Sequence, residues 1–494
     1  MSHALPALFT WLLIAAAGYG ALALCGARPT RPRPDGQTGL RGPEGLGYAL
    51  LAGAAVLTLF VVVLSPLRFV NAWTLGGSLV AVAIAGPLLG RSRQGDGADA
   101  APDADATQSP TSTARDWLWF LPALLVVGLT VHLAVLRPAW NVDAQRRWVL
   151  HGQWTAEYDT TTPTELELPA MAASHPSYPP LVTGVVALAL DLGADRNLGV
   201  RPLFPPFLLA LLAVLFGFAR RRAGPLVAGA TALAVALVPA LSHTDRLGLG
   251  AGAAHADIAL AAYLTASAAL VLAGLDRGRH PGPGEPNLGR LCPPGAWSVA
   301  ALLVVGAAWT KNEGLVFVAA MLLGSVVWSL LFAGLRRHVV ALAGLAVATL
   351  LAGGAWKLVA HRMPVAEGED YVSGSILAVV LEGLDRLPTI VARLGTEFTD
   401  LGLWGIAWLV GLTLALVASL LPRPGAPLAR RLLPTLWLVG GLALVVAAYM
   451  ATGWKSGRYE TLMDVSLARL VAHHLPLVAL LLVEALTRPA STPD

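Results

Sequence analysis

Apolar runs of about 20 residues, each long enough to carry a helix across roughly 30 Å of hydrocarbon, recur along nearly the whole of this chain. With boundaries good to a few residues they fall at 4–26, 46–66, 71–90, 116–137, 201–219, 224–242, 254–274, 296–311, 314–334, 338–358, 400–421, 432–452 and 466–487. Among the 494 residues, 56% are hydrophobic and only 13% charged, which excludes a soluble α/β fold. The expected fold class is an all-α polytopic integral membrane protein with about thirteen transmembrane helices, plus juxtamembrane or re-entrant helices in its outer loops.

In a soluble protein a net charge of +4 would suggest nucleic acid as a partner. Here the arginines sit in short loops between apolar runs: Arg28 to Arg33, Arg91 to Arg115, Arg220 to Arg222, Asp276 to Arg290, Arg336 to His338 and Arg423 to Arg431. All six loops lie on one side if the N-terminus is outside and the C-terminus inside, so the charge reports topology and nucleic acid is not expected. The run 179–192 is the exception, because a full crossing there would put Arg220 to Arg222 outside. At about fourteen residues it is also short for a crossing, and a juxtamembrane or re-entrant helix is expected.

The first run lacks a basic leading region and is expected to be a retained span rather than a cleaved signal peptide. Two cysteines, Cys25 and Cys292, make no disulfide framework. Residues 91–115, rich in Asp, Ala, Ser, Thr, Gly and Pro, read as a flexible cytoplasmic linker between a three-span module (1–90) and a ten-span core (116–494). The Asp103-Ala104-Asp105 string in it imitates a metal-binding pattern, but on the wrong side of the membrane for the site considered next.

That topology gathers the unusual polar residues in outer loops at 138–200 and 359–399 and in shorter turns. Asp143, a few residues beyond a span, can serve as a general base or hold a divalent cation, or it can cap the helix that follows, with Arg146 and Arg147 solvated among headgroups. His175-Pro176-Ser177-Tyr178-Pro179-Pro180 is either a substrate-facing turn or an extended entry into the next helix, with Tyr178 in the aromatic belt. Asp257 opens a span, where it is a supporting acid or a helix cap. Lys311 and Glu313 occupy a minimal turn near membrane depth, where ionisable groups are costly and tend to be functional, although the two can simply pair. Lys455, Arg458, Asp464 and Arg469 follow in the last outer segment, where Lys and Arg either suit a phosphate or snorkel towards headgroups, the latter less so for Arg469 inside the last span. Trp140, Trp148, Trp154, Trp404 and Trp454 can stack on sugar rings or anchor the interface. Ile376 to Leu394, apolar with interspersed charges, is expected to lie in the outer interface and roof a cavity.

In their order and common sidedness these signals resemble the C-type polytopic glycosyltransferases, the GT-C superfamily that includes protein O-mannosyltransferases and lipid A aminoarabinose transferases. The resemblance covers about 116–494. It rests on Asp143 after the core's first span, the HPxYPP-like turn at His175 to Pro180, Asp257 opening a later span, the Lys311 to Gly314 turn, and the closing Arg469 to Leu477. It implies sugar transfer from a polyprenyl-phosphate donor to a glycan, lipid or protein acceptor at the outer face of a bacterial inner membrane, with inversion. Asp143 would be catalytic. Lys311, Arg458, His175, Tyr178 and Arg146 would bind donor phosphate and substrate, supported by Asp257 and Glu313. The sequence departs from metal-dependent members by carrying Asn141-Val142-Asp143 where a DxD-type pair is expected, which leaves a divalent cation, Mg or Mn, as an open cofactor. Two other classes compete: a secondary transporter or lipid-linked glycan flippase, which would place its charges nearer the midplane, and a noncatalytic membrane scaffold.

Overall fold

The computed structural model describes residues 4–27, 40, 42–92, 111–137, 144–242, 250–276, 295–364, 380–421, 428–451 and 458–486, most of them helical, with no strand among them. The longer helices, in chain order, are α1 (Leu5–Leu24), α2 (Gly42–Leu64), α3 (Ala72–Ser92), α4 (Thr111–Leu136), α5 (Leu150–Tyr158), α6 (Leu181–Asp191), α7 (Pro205–Ala223), α8 (Pro225–Ala236) and α9 (Ala256–Asp276). They continue with α10 (Ala296–Ala308), α11 (Asn312–Leu331), α12 (Val339–Val359), α13 (Leu387–Phe398), α14 (Thr413–Leu420), α15 (Leu428–Ala451), α16 (Arg458–Ala472) and α17 (Leu475–Leu486).

Ten helices among the described residues are long and apolar enough to cross a membrane, the last of them running from Tyr459 to Glu484 through α16 and α17. The chain is an integral membrane protein by this criterion. The expected count of thirteen is not reached, because three apolar runs form helices too short to qualify. In 224–242 the helix stops at Ala236, ahead of Pro239, and in 296–311 it stops at Ala308, where Trp309 opens a turn. In 400–421 Asp400 caps a four-residue helix, Gly405 then takes φ 55°, and a π-helical turn follows. Hydropathy sums over such runs are blind to these breaks, because the interrupting residues are themselves apolar or small.

The most enclosed helix is α9, every residue of which is buried. Its sequence explains this: alanines dominate, so neighbouring backbones can approach closely, and two of its hydroxyls bond within the bundle. Thr265 donates to the Ala261 carbonyl at 2.7 Å, and Tyr263 donates across to the Leu51 carbonyl of α2 at 2.6 Å. The N-terminal helices belong to the same apolar core, which includes Trp11, Ile14, Leu57, Phe207 and Tyr263. Trp11 donates its indole N–H to the Leu203 carbonyl at 3.1 Å and meets the Phe207 ring edge-on at 5.0 Å. Most of the expected linker lies outside the described residues, and its last stretch, from Thr111, already forms the first turn of α4.

At one end of the bundle the arginine triplet is an ion network. Arg220 pairs with Asp116, Arg221 with Glu44, and Arg222 with Asp276 (2.8 Å) and Glu484 (2.9 Å), while Arg430 adds contacts to Asp276 and Glu484. These groups come from the ends of α2, α4, α7, α9, α15 and α17. Because α9 begins at Ala256 and ends at Asp276, its other end lies about 28 Å away at the usual helical rise. That other end carries the second cluster.

Candidate functional site

Asp257, in the first turn of α9, is 4% exposed and collects partners from three other segments. Its Oδ1 accepts from Lys311 Nζ at 2.8 Å and from His473 Nε2 at 2.7 Å. Its Oδ2 accepts from Arg469 Nε at 3.0 Å and lies against His255 Nδ1. Arg469 Nη2 is also 3.3 Å from His255 Nδ1, and Lys311 Nζ is 3.4 Å from Glu313 Oε1. Lys311, His255 and His473 are at most 1% exposed. The formal charges balance, two cations against two carboxylates, which is the condition under which ions can be held away from water.

Local sequence explains how these groups meet. Lys311 has extended backbone between α10 and α11, and its side chain reaches Asp257 in the first turn of α9. Arg469 and His473 are one helical turn apart on α16 and its extension, and so share a face. The Lys311–Glu313 contact expected from adjacency is present, but the shorter contact of Lys311 is with Asp257, 54 residues away. Asp257 therefore stands at the centre of the cluster. His255, His473 and His474 were not singled out in the sequence. The Arg469/His473 spacing and the His255/Asp257 proximity are the signals that could have found them.

The HPSYPP turn is tied to the same end. The Leu181 N–H donates to the Trp309 carbonyl at 2.9 Å, two residues before Lys311, and Trp356 donates its indole N–H to the Ser177 carbonyl at 2.8 Å. His175 takes φ 52° and sets its ring 5.2 Å from Tyr178, a buried ring that also meets Trp148 at 5.9 Å. Arg147 lies over Tyr178 at 5.5 Å, while Arg146 is exposed. Beyond the turn, α6 is an eleven-residue helix buried along most of its length, with Gly184 against Val61 of α2. It is too short to cross and is packed on protein, as a segment of that kind must be.

Beside the turn, Ser174 donates to the Met171 carbonyl at 2.7 Å, so its oxygen accepts from His151 Nε2 at 3.1 Å. Burial, with His175 and Arg147 nearby, pulls the His151 imidazole down to about 3 from its ordinary 6.5. Of the expected interfacial stretch Ile376 to Leu394, residues 380–394 are helical and run into α13, and 376–379 lie outside the described residues. It is held by Arg393 paired with Asp464 and by Arg386 stacked 5.2 Å over Tyr459.

Asp143 and Lys455 lie outside the described residues, as does the side chain of Arg458 at the start of α16. Immediately after Asp143 the chain makes a π-helical turn, Ala144–Val149, a geometry often found at functional sites. Among the described residues no group of three or more His, Cys, Asp or Glu is placed to hold a metal ion. No family model, curated protein or solved structure matches this chain.

Proposed function

We propose that this protein is a membrane glycosyltransferase that moves a sugar from a polyprenyl-phosphate donor to an acceptor hydroxyl at the non-cytoplasmic face. The observation that supports this reading is the convergence, at the end opposite the arginine network, of the Pro-paired turn, the Lys311 turn, the acidic opening of α9 and Arg469. These are four of the signals on which the GT-C resemblance rests, and they are far apart in sequence.

In the proposed reaction the acceptor oxygen attacks the anomeric carbon, the bond from that carbon to the phosphate oxygen breaks, and the electron pair leaves with the lipid phosphate. Asp143 takes the acceptor's proton. Lys311 is buried and committed to Asp257, so we assign it and Arg469 to holding the site's shape and potential. Direct charge compensation of the phosphate falls to Arg146, which is exposed beside the turn, and to Arg458. Tyr178 and His175 frame the sugar. The reading is tested by sugar transfer from a synthetic polyprenyl-phosphate donor in reconstituted vesicles. Replacing Asp143 by Asn should lower turnover about 10²- to 10⁴-fold. Undiminished turnover would remove Asp143 from catalysis.

One observation favours a second reading. A buried carboxylate paired with Lys, Arg and His inside spanning segments is also what ion-coupled transport uses. Its position in the first turn of α9, far from the midplane, weighs against that. Flux of a lipid-linked glycan across sealed vesicles without new glycosidic bonds would decide for transport.

A further inference from the structure

Between the two ion networks, where α16 gives way to α17, lies an imidazole that neither network uses. His474 is 2% exposed, and neither Nδ1 nor Nε2 has a hydrogen-bond partner within the described protein. A neutral imidazole carries one donor and one acceptor, and buried polar atoms in folded proteins are nearly always satisfied, by protein or by ordered water. Next to it His473 gives Nε2 to Asp257, while its Nδ1, also buried, has no partner within the described protein. Three ring nitrogens on consecutive residues thus require a ligand that can both donate and accept.

Two independent features shape the surroundings of these nitrogens. Gly441 of α15 lies against the His474 ring, and a Cβ there would collide with Cε1, Nδ1 and Nε2, so the absence of a side chain is what admits the imidazole. The helix is also interrupted here. α16 ends at Ala472 and α17 starts at Leu475, with Pro476 in its first turn. Proline has no N–H to give the Ala472 carbonyl, and inside a membrane such freed backbone groups are re-satisfied by neighbouring side chains or by ordered water. Phe317 closes the other side, edge-on to His474 at 4.6 Å and to His473 at 6.0 Å.

We propose that this break is a binding site for internal water, bounded by His473, His474, Gly441 and Phe317, and that the water keeps the Asp257–His473 pair in proton exchange with solvent while the bundle stays closed. Water is the ligand class that fits: it is the smallest molecule that can both donate to and accept from these nitrogens, and a buried water ordinarily makes about three hydrogen bonds. In the exchange step His473 Nδ1 accepts a proton from the water chain as the Nε2 proton passes to Asp257, and the reverse transfers restore both groups, so that charge is conserved.

The test uses the full chain in lipid nanodiscs with ¹⁵N-labelled histidine. Water-to-imidazole magnetisation transfer is expected at His473 and His474, together with deuterium exchange at the His473 ring N–H. His474→Phe, which keeps a ring against Phe317 and removes the polar atoms, is expected to abolish the water contact and slow His473 exchange at least tenfold. His474→Gln, which can still donate and accept, should retain both. Absence of water contact at both rings in the unaltered chain would overturn the proposal, as would unchanged His473 exchange in His474→Phe. Should His474→Phe fail to fold, the unaltered chain alone still decides. None of these readouts depends on sugar transfer, so the proposal stands or falls separately from the transferase reading.

Discussion

Asp257 holds two cations and two imidazoles in place, so its replacement is not a local event. In Asp257→Asn the Lys311 ammonium and the Arg469 guanidinium remain buried with only Glu313 to offset them, which should cost about 3–5 kcal/mol. Thermal unfolding in detergent measures this. The double variant Asp257→Asn/Lys311→Met should recover part of the loss, and strictly additive penalties would contradict the assigned coupling. His151 gives a pH prediction. Folded His151 stays neutral down to about 3, whereas the unfolded ring takes a proton near 6.5. Its burial therefore costs nothing above the unfolded value, and stability falls as pH drops from about 6.5 towards 3. His151→Gln, which can still reach Ser174, should flatten that part of the stability profile measured by chemical denaturation. At this scale the sequence disclosed which residue types were unusual but not which would meet. Lys311 and Glu313 are visibly neighbours, whereas Asp257, His473 and Lys311 meet only because three helices are packed together.

Helices reward reading by hydropathy until something apolar interrupts them. The short α8 and α10 and the broken 401–420 segment each sit in a run whose composition resembles that of a full span. By contrast α6 was legible as a non-crossing helix, because its length and the arginine triplet after it both argued against a crossing. Close approach between helices was not legible. Gly18 of α1 meets the Ala49 backbone of α2, and Gly53 of α2 meets the Ile14 backbone, contacts that leave no room for a side chain. Gly53→Leu is therefore expected to part α1 from α2, and cysteine cross-linking across that seam should be lost. Gly76→Leu on α3, where no atom lies within 4 Å of the added Cβ, should leave the cross-link intact. Equal loss in both would mean that the seam is not what Gly53 protects.

The molecule as a whole has two polar ends joined by an apolar body. Arginine loops served the sequence reading as markers of sidedness, and Arg220 to Arg222 and Arg430 also bind the ends of six helices together. The two uses are compatible, since charges that cannot cross a bilayer are free to pair at its edge. In a chain with Cys25 and Cys292 replaced by Ser, an exposed Thr164→Cys beside the HPSYPP segment and an exposed Arg336→Cys between α11 and α12 should react with an impermeant maleimide from opposite sides of sealed vesicles. Reaction from the same side would overturn the topology, and the transferase reading with it.

The complete enclosure of α9 also bears on how the protein is made. A helix that shows no face to lipid in the finished molecule must nonetheless leave the insertion machinery before α16 and α17 have been synthesised, with Asp257 still lacking Arg469 and His473. Until α16 arrives, the carboxylate has Lys311 as its main counter-charge. Nascent chains released before Tyr459 are therefore the form most exposed to quality-control proteolysis, and the last helix pair acts as the closing stave of a cask.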